Sequence, residues 1–155
     1  MPPTEASDRV LTEAELQPIV EAAIEQWRQQ PLTRQQLAIL ETLQISVVEL
    51  GSSRLGEAAN NSIRIDDNGA DFGWYIDQTP FDVTDDEIGV SMDLLTVVVH
   101  EIGHALGYAD TYRPADANEI MYGFLAAGER RTANSTQVEQ VDALHAGLDF
   151  DLDTM

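Results

Sequence analysis

The segment that most constrains the fold of this chain is "LLTVVVHEIGHALG", which runs from Leu94 to Gly107. Its first half is apolar except for one threonine, so a helix formed here has no polar face and must be buried on most sides. A chain of 155 residues can enclose such a helix in one domain. The sequence therefore predicts a single domain over 1–155 built around this helix, with 1–10 as a flexible lead-in and 149–155 as an acidic tail.

Two capping boxes predict helices before this segment. Thr12 with Glu15 opens an amphipathic helix, and Thr33 with Gln36 opens a shorter one that ends near Leu43. Apolar residues in the first helix recur at helical spacing: Leu16, Ile19, Val20, Ala23, Ile24 and Trp27. This spacing predicts an amphipathic helix with one apolar face.

Strand signals occupy the middle of the chain. The β-branched stretch "ISVVEL", together with Ser62 to Asp66 and Phe72 to Asp77, predicts a small sheet interrupted by Gly, Asn and Pro turns. Asp93 can cap the core helix, and a capping box at Thr136 predicts a last helix through about Ala146. We expect an α+β class, with helices towards both ends of the chain and a small sheet between them.

The net charge of the chain limits the classes of molecule that it is expected to bind. It carries 28 Asp and Glu against 8 basic residues, a net charge of −20, and all eight basic residues are Arg. Such a surface repels phosphate and anionic lipid, so we do not expect nucleic-acid binding. It suits a calcium-rich or salty exterior, a basic substrate, or simply solubility.

Two histidines on the core helix have the spacing of metal ligands. His100 and His104 lie four residues apart, which places their imidazoles about 40° apart and one turn along the axis. Glu101 lies beside that face, where its carboxylate can reach a water on the ion without being a ligand. The alternative is a pair of helix histidines satisfied by polar neighbours. The chain has no Cys, so any metal must be held by His and carboxylates.

A third ligand is expected just after the helix. Gly107 can adopt a positive φ, end the helix and turn the chain back, so that Asp110 faces the same ion. Two histidines and a carboxylate form a known catalytic zinc set. The fourth position would then be available to water.

The motif "HEIGHALGYAD" resembles the metzincin zinc signature HExxHxxGxxH with Asp in its last position, and "IMYGFL" resembles the Met-turn of that clan. The combination is most similar to matrixins and to matrixin-like domains of large bacterial secreted or surface proteins. The segments "GWYIDQTP" and "LDTM" resemble those bacterial domains more loosely.

This resemblance implies a zinc peptidase. By it, His100, His104 and Asp110 would bind a catalytic zinc, Glu101 would be the general base, and Met121 would form an apolar floor under the metal. It also implies a zincin fold with a small twisted mixed sheet, mainly parallel, a long N-terminal helix, the active-site helix, a Met-turn and a C-terminal helix.

Several rivals and departures accompany the resemblance. Asp116 and Glu119 are rival third ligands, as is His145 on the last predicted helix, whereas Glu129 or Glu139 would imply a gluzincin arrangement that Gly107 argues against.

The chain departs from the family pattern in three ways. Asp replaces the third His, the stretch between Asp110 and Met121 is longer than in typical matrixins, and three histidines leave no ligand set for a second, structural zinc. Alternating carboxylates in "IDDNGAD" and "DFDLD" suit calcium, but neither matches an EF-hand loop, so exposed turns are the better interpretation.

The function expected from these observations is zinc-dependent hydrolysis of peptide bonds in a protein or peptide substrate. The resemblance to secreted and surface proteins implies an extracellular or cell-surface location. No signal peptide and no run of about 20 apolar residues is recognisable in 1–155, so we expect the export signal to lie outside this segment and expect no membrane insertion. The alternative is a weakly active or self-processing module of a large bacterial surface protein.

Overall fold

A computed structural model describes residues 10–51, 53–82, 88–133 and 149–152, the last of these by their backbone alone. In this part of the chain the structure is a small α+β fold with three α-helices and a mixed sheet. The helices are α1 (Glu13–Arg28), α2 (Arg34–Thr42) and α3 (Leu94–Ala105). The strands are β1 (Gln44–Val48), β2 (Arg54–Ala59), β3 (Ser62–Asp66), β4 (Trp74–Tyr75), β5 (Met92–Asp93), β6 (Phe124–Leu125) and β7 (Asp149–Leu152).

The main sheet has five strands in the order β1-β3-β2-β7-β6. The pairs β1/β3 and β6/β7 are parallel, whereas β2 is antiparallel to both of its neighbours, β3 and β7. The sheet is therefore mixed: β1, β3, β7 and β6 run in one direction and β2 runs in the other, so the described strands do not conflict with the small mixed, mainly parallel sheet that was expected. A separate two-stranded parallel pair joins β4 to β5 just before α3.

Both predicted capping boxes are present. In α1, the Glu15 amide donates to Thr12 Oγ1 and the Thr12 amide donates to Glu15 Oε1, each at 3.1 Å. In α2, Thr33 and Gln36 make the same reciprocal pair. These bonds satisfy amides that a helix N-terminus would otherwise leave unpaired, which is why the sequence marks both helix starts correctly.

Helix α1 packs its apolar stripe on α3. Its buried residues are Leu16, Ile19, Ala22, Ala23 and Trp27. The Trp27 indole Nε1 donates to the Val99 carbonyl of α3 over 2.8 Å, and its ring stacks on Tyr108 at 5.5 Å. The bond anchors α1 against the middle of α3.

Helix α3 is the buried core helix that its apolar sequence predicts, since Leu94 through His104 are all buried. Asp93 occupies its N-cap position, but the predicted side-chain cap is absent. The Asp93 carboxylate instead accepts from the Thr96 hydroxyl at 2.6 Å and from the Arg130 guanidinium at 2.8 and 2.9 Å. A buried guanidinium is a stronger donor to the carboxylate than a helix amide, which explains the difference.

Other strand predictions are met in part. β1 lies within "ISVVEL" apart from one residue, and β3 has the predicted bounds, but only Trp74–Tyr75 of the predicted 72–77 strand pairs. The strands β2, β5, β6 and β7 were not predicted. The predicted helix over 136–146 and nearly all of the 1–10 lead-in lie outside the described residues. Within those residues, no helix combines the length and the apolar character that crossing a bilayer requires.

Candidate metal centre

Two histidines on consecutive turns of α3 converge at the candidate site. The ring centroids of His100 and His104 are 4.7 Å apart and the rings are nearly perpendicular. Nδ1 of His100 lies 2.6 Å from the Ile120 carbonyl oxygen, and Nδ1 of His104 lies 2.8 Å from the Tyr108 carbonyl oxygen. A carbonyl oxygen only accepts, so each Nδ1 carries a proton and each Nε2 of a neutral ring presents its lone pair.

The turn after α3 brings in the carboxylate. Gly107 has a φ of 102°, the positive φ that the sequence analysis requires of it. The Tyr108 amide donates back to the Gly103 carbonyl, which closes the helix end. Asp110 Oδ1 then lies 2.8 Å from Nε2 of His100 and 3.2 Å from Nε2 of His104.

The electrostatics of these three side chains fit a bound cation. Burial lowers the pKa of His100 to about 4, although the Asp110 carboxylate opposes this shift. Burial alone would raise the pKa of Asp110. The hydrogen bonds from the two imidazoles lower it by more, so the pKa of Asp110 lies well below its ordinary range. At neutral pH the lone pair of the neutral His100 imidazole and the ionised Asp110 carboxylate therefore lie against each other, next to the His104 ring. Mutual repulsion among such groups is relieved by a positive ion between them.

The spacing of the three groups suits a small divalent metal. Ligand atoms at about 2.0–2.1 Å from a tetrahedral zinc are about 3.3 Å apart, close to the two Nε2–Oδ1 separations of 2.8 and 3.2 Å. Among the described residues, His100, His104 and Asp110 form the one group of three or more metal-binding side chains with ligand atoms within 4.8 Å of one another. The geometry brings together the three ligands expected from sequence, while the identity of the ion stays a prediction.

Glu101 lies on the neighbouring face of α3, towards the sheet. Its side chain is buried and packs against Gly56 of β2, where a Cβ atom would stand only 3.0 Å from Glu101 Cγ. The lack of a side chain at Gly56 therefore makes room for the Glu101 carboxylate beside the histidines. Nothing in the sequence around Gly56 signals this role.

Met121 packs under the centre of α3. A Cβ atom at Gly103, which lies between the two histidines on the helix, would meet Met121 Sδ at 2.5 Å and Trp27 Cζ2 at 3.1 Å. Met121 is 2% exposed. It thus lies directly against the turn of helix that carries both imidazoles, as an apolar support.

The long stretch between Asp110 and Met121 is closed by a short parallel bridge. The Thr111 amide donates to the Met121 carbonyl at 2.8 Å, and the Gly123 amide donates to the Thr111 carbonyl at 2.9 Å. This pairing fixes Asp110 relative to the segment whose Ile120 carbonyl accepts from His100. The extra residues therefore form a closed loop and do not displace the carboxylate.

Two of the three rival ligands among the described residues, Asp116 and Glu129, have other partners. Asp116 accepts from the Thr111 hydroxyl at 2.7 Å, and Glu129 accepts from the Ala126 amide and pairs with Arg131. Burial, with Asp116 nearby, raises the pKa of Glu119. None of the three joins the His100 group among the described residues. Glu139 and His145 lie outside the described residues.

The tyrosines near the site divide by role. Tyr108 is buried against Trp27, and Tyr122 packs on Phe124 and lies under the Arg131 guanidinium at 5.3 Å. Tyr112 is exposed, and its hydroxyl donates to Asp110 Oδ2 at 3.3 Å. Packing therefore accounts for the first two, while Tyr112 steadies the second oxygen of the proposed ligand.

The backbone contacts that orient the histidines were missed by the sequence analysis. The carbonyls of Tyr108 and Ile120 carry no signal in side-chain identity, because any residue can supply them. Their positions depend on the Gly107 turn and on the bridge at Thr111. Only the structure shows that both imidazoles are held through Nδ1.

The centre is enclosed. His100 and Glu101 have no exposed surface, and His104 and the Asp110 side chain are each 1% exposed. The chain matches no protein-family model, and comparisons with curated proteins and with solved structures find no match either. What this site does therefore has to be inferred from its own geometry and from the motif that forms it.

Proposed function

We propose that the protein is a zinc-dependent metalloendopeptidase of the metzincin type, related to matrixin-like domains. The observation that carries this proposal is the convergence of two Nδ1-anchored imidazoles and one carboxylate, with a buried glutamate adjacent to the first histidine. The positive φ at Gly107 and the position of Met121 against α3 support the same assignment.

The residues divide the chemistry between them. His100, His104 and Asp110 would hold zinc, which when bound supplies a Lewis acid that lowers the pKa of water to about 7 and polarises the scissile carbonyl. The Glu101 carboxylate takes the proton of the attacking water and passes it to the nitrogen of the leaving amine. The Tyr108 and Ile120 carbonyls keep each Nδ1 protonated, so that each Nε2 stays available to the metal.

The proposed substrate is an extended peptide. Backbone pairing with a sheet edge near α3 would give affinity, and side-chain pockets would give selectivity. The net charge of −20 favours peptides with basic residues, because a negative surface raises the local concentration of cations. The family resemblance and the acidity suit an extracellular or cell-surface setting. A library screen in which acidic or neutral peptides are cleaved best would contradict the basic preference.

The test compares peptide hydrolysis and zinc content in matched glutamate variants. Glu101→Gln should keep one zinc per chain and lose at least a thousandfold in hydrolysis, because the ligands stay while the base is removed. Glu41→Gln, at an exposed position of α2, is the control and should cleave at the parental rate. A chelator should abolish cleavage and added zinc should restore it.

Two results would count against the peptidase. Cleavage that survives in Glu101→Gln, with zinc bound, would remove the proposed base from the mechanism. Stoichiometric zinc without cleavage of casein or of a peptide library would favour the alternative of a weakly active or self-processing module.

A further inference from the structure

Strand β7 lies inside the sheet although it is the last described segment of the chain. It pairs antiparallel with β2, where Glu57 stands opposite Asp149, and parallel with β6, where Leu125 stands opposite Leu152. Four residues thus bridge two strands that do not pair with each other. Its pairing with two strand edges is the pairing that an extended peptide makes when it adds to a sheet.

The two strands that receive β7 also border the metal centre. Gly56 of β2 packs against the Glu101 side chain and stands opposite Phe150 in the register. β6 begins four residues after Ile120, whose carbonyl accepts from His100. The groove between β2 and β6, hereafter the β2/β6 groove, therefore has the proposed general base packed against β2, while β6 follows the ligand-orienting Ile120 closely in sequence.

The β2/β6 groove has the hydrogen-bonding capacity of a peptide site. Among the described strands, β2 has one other partner, β3, and β6 has none besides β7. Without β7, the facing edges of both strands would present unpaired N–H and C=O groups, which readily take up an extended segment.

We propose that Asp149–Leu152 is an intramolecular occupant of the β2/β6 groove, held where an extended peptide substrate binds, and that it restricts entry to the metal centre. The proposal rests on the proposed peptidase function for its consequence, since strand occupancy lowers catalysis only if the centre is catalytic. His100, Glu101 and His104 are all buried, although the proposed site must admit a peptide. Release of β7 would open the groove.

The first test locks the strand in the full chain. The chain has no Cys, so the pair Glu57→Cys and Asp149→Cys, at opposed register positions, would form the single disulfide. Peptide hydrolysis by the oxidised protein should be at least tenfold slower than by the same protein after reduction. Glu57→Cys alone is the matched control and should respond to neither treatment. Equal rates in the oxidised and reduced double variant would overturn the proposal, because a fixed strand would then not obstruct the centre.

The second test measures occupancy without catalysis. A labelled peptide "DFDLDTM" should bind a chain ending at Leu148, which lacks β7, and should bind at least tenfold more weakly to a chain ending at Leu152, which keeps it. Zinc content checks that both chains are folded. Equal binding to the two chains, or binding to neither, would overturn the proposal.

The two tests separate this proposal from the peptidase assignment. Peptide binding restricted to the shorter chain, with no cleavage by any variant, would support the groove and overturn the peptidase. Zinc-dependent cleavage that is unaffected by the disulfide would support the peptidase and overturn the groove. If the shorter chain fails to fold, the disulfide test alone decides the proposal.

Discussion

Replacing Arg130 with methionine should lower the free energy of unfolding by about 3–5 kcal/mol, because it removes the cationic partner of two buried carboxylates. Arg130 donates to both oxygens of Asp93 at 2.8 and 2.9 Å and pairs with Asp77 at 3.0 Å. The side chains are 7%, 0% and 1% exposed, respectively, so water cannot replace the lost donors. Methionine fills a similar volume, so the loss reports the charge and not a cavity.

The control is Arg113→Met. Arg113 is 78% exposed and lies 3.5 Å from Asp116, and removing such a surface pair costs about 0–1 kcal/mol. Urea unfolding followed by circular dichroism measures the free energy of unfolding of both variants. In thermal unfolding, Arg130→Met should lower Tm by about 6–20 °C. Equal stabilities, within about 1 kcal/mol, would refute the buried network as a source of stability.

The same network predicts how this stabilisation depends on pH. The hydrogen bonds to Asp93 raise the pKa of Arg130 above its ordinary value. Its contribution is therefore complete below the unfolded-state pKa and would be lost only as the pH rises through the higher folded-state pKa. The difference between parent and Arg130→Met should stay constant between about pH 6 and 9, and a fall within that range would contradict the assignment.

Three further outcomes follow from the metal centre. Gly56→Ala should lower hydrolysis at least tenfold while zinc stays bound, because the new methyl group presses on Glu101; unchanged hydrolysis would show that the close approach is unimportant. Gly103→Ala should destabilise the fold by about 1–3 kcal/mol, and Met121→Ala in the same chain should recover part of that loss, as a double-mutant cycle in urea would show. Zinc at a hundredfold excess over its Kd should raise the unfolding free energy by about 2.7 kcal/mol, and His100→Ala should abolish this increment in thermal unfolding.

The helices were predictable because their signals are local. The capping boxes at Thr12 and Thr33 satisfy amides within three residues, so the sequence alone marks both starts. The apolar run of α3 likewise requires burial wherever the helix is placed. The three-residue group of the metal centre follows from helix periodicity plus one glycine turn.

The sheet was harder to predict because its pairings are distant in sequence. β2 contains Gly56 and two alanines, a composition that does not favour a strand, and it forms one because β3 and β7 pair with its two edges. β7 is rich in Asp and was interpreted as a tail. Strands of two residues, such as β5 and β6, are too short to show an alternation of apolar and polar residues in the sequence.

The Asp93 contact was mispredicted for a related reason. An aspartate before an apolar helix is an ordinary N-cap signal, but the partner that takes its carboxylate, Arg130, lies 37 residues away. Local rules cannot weigh such a partner. The Glu101 pocket at Gly56 depends in the same way on a contact between a helix and a distant strand.

Zinc K-edge X-ray absorption of the metal-replete protein tests the central assignment most directly. We expect one zinc per chain with two imidazoles and one carboxylate at about 2.0–2.2 Å. The spectrum should be unchanged in His145→Ala and should lose an imidazole contribution in His104→Ala. A third imidazole that disappears in His145→Ala, or zinc uptake that is indifferent to His104, would contradict the metal centre assigned to His100, His104 and Asp110.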